Sequence, residues 1–97
     1  MSYWTYILCN KPYGTLYVGM TNHIIARANQ HREGLIEGFT KRYGIKRLVY
    51  FEEHATALEA IAREKTLKRW PRDWKIALIE RSNPKWDDLY DGIAGWA

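Results

Sequence analysis

The pattern of apolar and polar positions predicts three β-strands. Residues 3–10 (YWTYILCN) and 15–20 (TLYVGM) are rich in strand-forming residues, and the intervening KPYG contains the Pro and Gly of a turn. These two segments are therefore expected to form a β-hairpin. Residues 47–54 (RLVYFEEH) have a similar composition and form the third predicted strand.

Helical periodicity follows the hairpin. A helix is predicted over 23–33, because apolar positions recur there at helical spacing. Thr21 and Asn22 are candidate N-caps, and Gly34 favours a stop. The next segment, residues 34–46, contains three glycines and a basic cluster, and we expect it to be a mobile connection.

Two more helices are expected after the third strand. Thr56 and Glu59 form a capping-box pattern that starts a helix, and Pro71 ends it just beyond Trp70. A final helix is predicted over 72–81. The predicted order of elements is therefore β-β-α-β-α-α.

The length of 97 residues allows one ordinary domain. We assign residues 1–82 to this domain. Residues 83–97 are expected to be a C-terminal extension that packs on the same domain or trails from it. No internal repeat or interdomain linker interrupts the chain.

The charge is distributed unevenly along the chain. Residues 1–82 hold 14 Lys and Arg against 8 Asp and Glu, a formal charge of +6, whereas residues 83–97 carry −2. A basic body with interspersed aromatic residues is compatible with nucleic-acid binding, because Lys and Arg replace the counterions of the phosphate backbone. On charge alone, an ordinary solvated surface explains the same numbers.

The remaining composition favours a soluble protein of the cytoplasm. The only cysteine, Cys9, lies in an apolar run and is expected to have a structural role in a reducing compartment. No apolar run approaches the ~20 residues that span a membrane, and the N-terminus lacks the pattern of a signal peptide.

Two predicted helices carry polar residues on their apolar faces. Arg27 and His31 share a face with the apolar positions of the first helix; either residue alone fits ordinary packing. Glu64 lies within the apolar stripe of the second helix, where a carboxylate needs a partner. The alternatives for Glu64 are a metal or catalytic role and an internal salt bridge with Lys68 or Arg27.

Three residues of the hairpin are ambiguous. Tyr6 and Tyr17 are favoured strand residues that often only pack across a hairpin. Gly19 interrupts an otherwise good strand, which indicates a bulge or the close approach of another backbone or a ligand. These residues, together with those of the two helices, define a candidate site without defining a reaction.

In order along the chain, this set resembles the GIY-YIG nuclease family, especially its small stand-alone bacterial members. The resemblance covers residues 3–81 and includes the segment LVYFEEHATALEAIAREKTLKRW. It rests on Trp4-Thr5-Tyr6, Tyr17-Val18-Gly19, Arg27, His31 and Glu64.

The resemblance implies an α/β (α+β) fold, with a small three-stranded antiparallel sheet flanked by helices. It also implies a metal-dependent endonuclease that hydrolyses nucleic-acid phosphodiester bonds, with DNA favoured and DNA repair or recombination as the setting. Tyr6 and Tyr17 match the two motif tyrosines, one of which is the proposed general base. Arg27 matches the phosphate-binding arginine, and His31 occupies a position that is His or Tyr in relatives. Glu64 matches the residue that binds the divalent metal, Mg²⁺ or Mn²⁺.

The chemistry fits these residue types. Attack by water requires a base, and the negative charge that accumulates on the phosphoryl oxygens requires cations. A tyrosine is a weak base at its reference pKa of ~10, so a cation must favour the phenolate. Contacts with the nucleic-acid backbone are expected from the basic residues Lys41, Arg42, Lys46, Lys65, Lys68 and Arg69.

Two positions depart from the family pattern. Met20 stands near a lysine of some excision-repair relatives, and Lys75 aligns with an asparagine that many relatives carry. The alternative to an enzyme is therefore a non-catalytic nucleic-acid-binding module on the same scaffold. A third reading is a protein-interaction domain with Glu64 in a plain ion pair.

Overall fold

A computed structural model describes residues 1–96 of the chain. In chain order the elements are β1 (Tyr3–Cys9), β2 (Leu16–Thr21), α1 (Ile24–Arg32), α2 (Phe39–Arg42), β3 (Arg47–His54), α3 (Ala57–Arg69), α4 (Arg72–Ser82), α5 (Tyr90–Ile93) and a 3₁₀ turn (Ala94–Trp96).

The three strands form one antiparallel sheet with β1 in the middle, in the order β2-β1-β3. The predicted hairpin and the α+β fold are confirmed. In the hairpin register Tyr6 lies opposite Gly19, and Leu8 lies opposite Tyr17. Because alternate residues of a strand point to opposite faces, these four residues share one face of the sheet.

Each face of the sheet is covered by its own apolar cluster. On one face, Ile7, Cys9 and Val18 pack against residues of α3 and α4, including Leu67 and Ile79. The thiol of Cys9 is fully buried, and burial raises its pKa to about 11, so it stays protonated at neutral pH.

The opposite face is covered by α1 and α5. Tyr6 and Leu8 pack there against Ile24 and Ala28 of α1 and Ile93 of α5. The sheet is therefore buried on both sides, which explains why β1 reads as a nearly continuous apolar run.

The start of α1 differs from the prediction. Its N-cap is His23, whose Nδ1 accepts a hydrogen bond from the Ala26 amide at 3.3 Å. Thr21 stabilises the turn before the helix, since its hydroxyl accepts a hydrogen bond from the His23 amide at 3.1 Å. The polar side chain nearest the first helical turn supplies the cap, and the predicted cap residue supports the preceding turn.

The prediction of a mobile connection over residues 34–46 was wrong in part, because residues 39–42 form the short helix α2. Gly38 precedes this helix with a φ of 112°, and Gly44 follows it with a φ of 63°. Residues that carry a side chain rarely adopt these backbone angles. Thr40 is buried, so tertiary packing rather than local periodicity holds the helix.

The predicted start of α3 at Thr56 is confirmed. The Thr56 hydroxyl accepts a hydrogen bond from the Glu59 amide at 3.2 Å and donates one to Glu59 Oε1 at 2.9 Å. Pro71 separates α3 from α4, as predicted. Within residues 1–96 no helix has the length and apolarity needed to cross a bilayer.

Residues 83–96 fold back onto the outer edge of β3. The bulge residue Val49 offers its carbonyl to the Asn83 side-chain amide at 3.1 Å. One residue earlier, the Leu48 amide donates to Asp88 at 3.3 Å, and its carbonyl accepts from the Leu89 amide at 2.7 Å. These bonds satisfy edge groups that would otherwise be open to pairing.

Trp86 anchors this segment in the core. It is almost fully buried, and its indole NH donates to Glu80 at 2.9 Å. Its φ of 58° is unfavourable for a residue with a side chain. Burial of the large ring offsets that cost, and Arg47 donates to the Trp86 carbonyl at 2.9 Å.

We expect Trp86→Ala to lower the free energy of unfolding by about 3–5 kcal/mol, because it removes a buried aromatic ring and leaves a cavity. Urea denaturation followed by circular dichroism measures this. Trp74→Ala is the matched control, since Trp74 is largely exposed on α4 and its loss should cost less than about 1 kcal/mol. Equal losses in the two variants would contradict the anchoring role of Trp86.

Candidate active site

The hairpin places Tyr6 against the backbone of Gly19. A Cβ added at Gly19 would lie 2.5 Å from both Cζ and the hydroxyl oxygen of Tyr6. Glycine at this position therefore makes room for the tyrosine ring on the neighbouring strand. The close approach that the sequence suggested involves a side chain of the same domain.

The Tyr6 hydroxyl is joined to the first helix by a buried hydrogen bond. It lies 3.2 Å from Nε2 of His31, and the other ring nitrogen, Nδ1, lies 3.2 Å from the Thr40 hydroxyl. With the proton on Nδ1, His31 donates to Thr40 and accepts from Tyr6; the other tautomer reverses both bonds. The three side chains thus link β1, α1 and α2.

Burial dominates the electrostatics of Tyr6, which is 1% exposed. Burial raises the pKa of its hydroxyl to about 12, and Tyr17 adds to the rise. The positive charge of the nearby Arg27 opposes the rise, and the negative charge of Glu64 adds a smaller increase. The hydroxyl is therefore protonated at neutral pH.

His31 is neutral in the folded protein. Only 4% of the residue is exposed, and burial followed by the charge of Arg27 lowers its pKa to about 4. Its ring centroid lies 5.9 Å from those of both Tyr6 and Tyr17. His31 therefore sits between the two tyrosines as an uncharged hydrogen-bonding residue.

Arg27 and Glu64 reach the same place from different helices. Both are partly buried, Arg27 in α1 and Glu64 in α3, and the charges of both act on the Tyr6 hydroxyl. The Glu64 side chain is 19% exposed, and its carboxylate lies 3.5 Å from the Lys68 ammonium. Lys68 is itself half exposed, so this pair is weak and leaves the carboxylate accessible.

Glu64 is the residue here that fits a metal ligand. Among the described residues, no group of three or more His, Cys, Asp or Glu side chains could hold a metal. Mg²⁺ is often held by one or two carboxylates together with water and substrate phosphates. A single accessible carboxylate fits an ion of that kind and does not fit a closed structural site.

The six basic residues expected to contact a nucleic acid are all exposed. Two of them pair with carboxylates: Lys41 contacts Glu37 at 2.8 Å, and Lys68 contacts Glu64. The guanidinium of Arg42 lies 5.6 Å from the ring centroid of Tyr43. The remaining three, Lys46, Lys65 and Arg69, lie before β3 and along α3.

Two residues near the site were missed from the sequence. Thr40 fixes His31, and Phe39 stacks on Tyr17 with ring centroids 6.5 Å apart and planes at 26°. Both lie in the segment predicted to be a mobile connection. The only signal was the sequence GFTKRYG, in which two glycines bracket aromatic and basic residues.

The two departures from the family pattern have ordinary surroundings. Met20 is partly buried on β2, opposite Thr5. Lys75, in α4, lines a groove beside the hairpin turn together with Lys11 and Arg72. Lys75 therefore contributes positive charge near the turn.

The chain belongs to the GIY-YIG family, since the model of the GIY-YIG catalytic domain matches residues 2–77. A UPF0213 protein of Clostridium perfringens is 35% identical over 82 residues, which cover 84% of this chain and 87% of the relative. A UPF0213 protein of Staphylococcus aureus is 35% identical over 80 residues, covering 81% and 95% of the two chains.

A solved structure is also similar. The solution NMR structure of a UPF0213 protein from Bacillus halodurans matches with a TM-score of 0.56 and 26% identity, covering 92% of this chain and 94% of that chain. The fold and the family are thus those implied by the sequence resemblance. Membership in this nuclease family supports an endonuclease-like function that acts on nucleic acid.

Replacing Gly19 by alanine should displace Tyr6. We expect Gly19→Ala to lower the free energy of unfolding by about 1–3 kcal/mol, because the new methyl group overlaps a buried ring. NMR signals of Tyr6 and His31 should shift. Gly92→Ala is the control, since among residues 1–96 no atom beyond its chain neighbours and its own helix backbone lies within 4 Å of its added Cβ; it should leave stability unchanged or slightly raised. Tyr6 signals unchanged in Gly19→Ala would refute the contact.

The depressed pKa of His31 predicts a loss of stability in acid. Between pH 6.5 and about 4 the unfolded chain binds a proton at His31 that the folded protein does not. The free energy of unfolding should therefore fall over this window, by the order of 1–3 kcal/mol. Denaturation at several pH values should give a smaller fall for His31→Gln. Identical slopes for the two proteins would exclude His31 as the cause.

Proposed function

We propose that this protein is an endonuclease that hydrolyses phosphodiester bonds of DNA with one divalent metal ion. The observation that carries the proposal is the convergence on the Tyr6 hydroxyl. His31 is hydrogen-bonded to it, and Tyr17, Arg27 and Glu64 all influence its pKa. A base, a phosphate-binding cation and a metal-binding carboxylate are the groups that such hydrolysis requires.

The burial of the tyrosines supports different roles for the two. Tyr6 is enclosed and its pKa is about 12, so its hydroxyl stays protonated at neutral pH and suits a positioning role. Tyr17 is partly exposed on the neighbouring strand, where its hydroxyl can meet a water molecule. We therefore assign the general base to Tyr17, with His31 and Tyr6 fixing its surroundings.

In the proposed reaction a water oxygen attacks phosphorus while the water proton passes to the phenolate oxygen of Tyr17. The ester P–O bond opposite the attacking water breaks, and the leaving oxygen takes a proton from solvent. Arg27 holds two phosphoryl oxygens and balances their growing charge. Glu64 would hold Mg²⁺ or Mn²⁺, which when bound supplies positive charge for the phosphate and leaving oxygens.

Charge on the surface supports a nucleic-acid substrate. The exposed lysines and arginines of α2 and α3 can contact the phosphate backbone without reading sequence. Because these contacts are electrostatic and reach only the backbone, we expect binding to weaken with salt and to show little base preference. DNA repair or recombination is the setting that we propose for this activity.

The proposal predicts metal-dependent cleavage that Glu64→Gln, Arg27→Ala and Tyr17→Phe each reduce by about 10²-fold or more while the fold persists. Cleavage of labelled DNA in Mg²⁺ and Mn²⁺, with circular dichroism for the fold, measures this. Glu59→Gln is the matched control and should keep its activity, because Glu59 is exposed on the same helix. The glutamine oxygen can still accept the hydrogen bond from the Thr56 hydroxyl.

The outcome separates the enzyme from a non-catalytic module. Full activity in Glu64→Gln would rule out its role as the metal ligand. The departures from the family pattern at Met20 and Lys75 are the features that favour the binding module. Salt-sensitive DNA binding by the wild-type protein, with no cleavage in any divalent metal, would establish the binding module in its place.

A further inference from the structure

Two aromatic side chains, one in α2 and one directly after it, are half exposed beside the proposed site. Phe39 is 50% exposed and Tyr43, at the end of the same short helix, is 51% exposed. Their ring centroids are 4.8 Å apart with planes at 49°. Aromatic side chains left open at a surface in this way are common where a flat ligand binds.

These rings continue a row of aromatic side chains that begins inside the site. His31 contacts Tyr17, Tyr17 stacks on Phe39 and Phe39 contacts Tyr43. We call the outer part of this row the aromatic ladder; it consists of Tyr17, Phe39 and Tyr43. It leads from the proposed base to the surface, so a ligand on it would lie next to a phosphodiester held at Arg27.

The charge around the aromatic ladder favours an anionic ligand. An open groove of about 450 Å³ is lined by Phe39 and Tyr43 together with the basic residues Lys41 and Arg42. The one acidic residue in that lining, Glu37, is paired with Lys41 at 2.8 Å. Aromatic faces combined with cations are the arrangement that proteins use to hold single strands of nucleic acid.

We propose that Phe39 and Tyr43 form a stacking platform for an unpaired nucleobase that adjoins the phosphodiester at the proposed site. This inference rests on the proposed nuclease function for the position of the strand. In a duplex the base faces are covered by neighbouring pairs, so only an unpaired base can offer its face to the rings. The substrate class is therefore nucleic acid with a single-stranded stretch at the cut, as RNA or DNA.

Binding without turnover tests the platform directly. Fluorescence anisotropy in EDTA compares a labelled 12-nucleotide single strand, a duplex of the same length, and a strand of abasic nucleotides with the same phosphates. We expect Phe39→Ala and Tyr43→Ala each to weaken single-strand binding about five- to a hundredfold. Binding of the abasic strand should change less than twofold, because its backbone contacts are unaltered.

Two controls separate stacking from general damage. Trp74→Ala removes an exposed aromatic side chain of α4 and should leave single-strand binding unchanged. Phe39→Tyr keeps a ring and should retain most of the affinity. Circular dichroism verifies that each variant is folded, and DNA and RNA strands run in parallel show which sugar is accepted.

The inference would be overturned if the Phe39→Ala and Tyr43→Ala proteins bound single strands as tightly as wild type. It would also be overturned if each variant lost the same affinity for normal and abasic strands. Failure of the proposed function gives a different result. A wild-type protein that cleaves nothing in Mg²⁺ or Mn²⁺, yet shows the ring-dependent preference for base-bearing strands, would refute the nuclease and keep the platform.

Discussion

The rest of the site depends on how Tyr6 is buried. Its ring needs the space left by Gly19 on β2, and its hydroxyl needs His31 from α1. A buried hydroxyl without a partner costs roughly 1–3 kcal/mol, so this single bond couples the position of the first helix to the hairpin. Thr40 extends the coupling to α2 by fixing the other nitrogen of the imidazole. The site is consequently assembled by the same contacts that form one of the two cores.

Burial on both faces of the sheet leaves few places for polar groups, and those found there have specific partners. Arg27 and Glu64 are only partly buried, which suits residues that meet a charged ligand at the margin of a core. The C-terminal segment contributes indirectly. By covering the bulged edge of β3 through Asn83 and Asp88, it stabilises the sheet that carries Tyr6.

Sequence reasoning worked where a local pattern determines the structure. The hairpin and the start of α3 at Thr56 follow from residue types a few positions apart, whereas the pairing of β1 with β3 was implied by the family resemblance. Sequence reasoning failed at α2, where tertiary packing holds the helix, and at the N-cap of α1, because His23 lies nearer the first helical turn than either predicted cap residue. The placement of Glu64 near Tyr6 joins residues 58 positions apart, which periodicity alone could not predict and the family resemblance implied.

The proposed site joins Glu64, the two tyrosines and Arg27 around a bound metal ion. Paramagnetic broadening of NMR signals during titration with Mn²⁺ tests this arrangement without any need for turnover. We expect saturable broadening centred on Glu64 that extends to Tyr17 and Arg27 and disappears in Glu64→Gln. Broadening confined to the acidic residues 87–91, or unchanged in Glu64→Gln, would exclude this site.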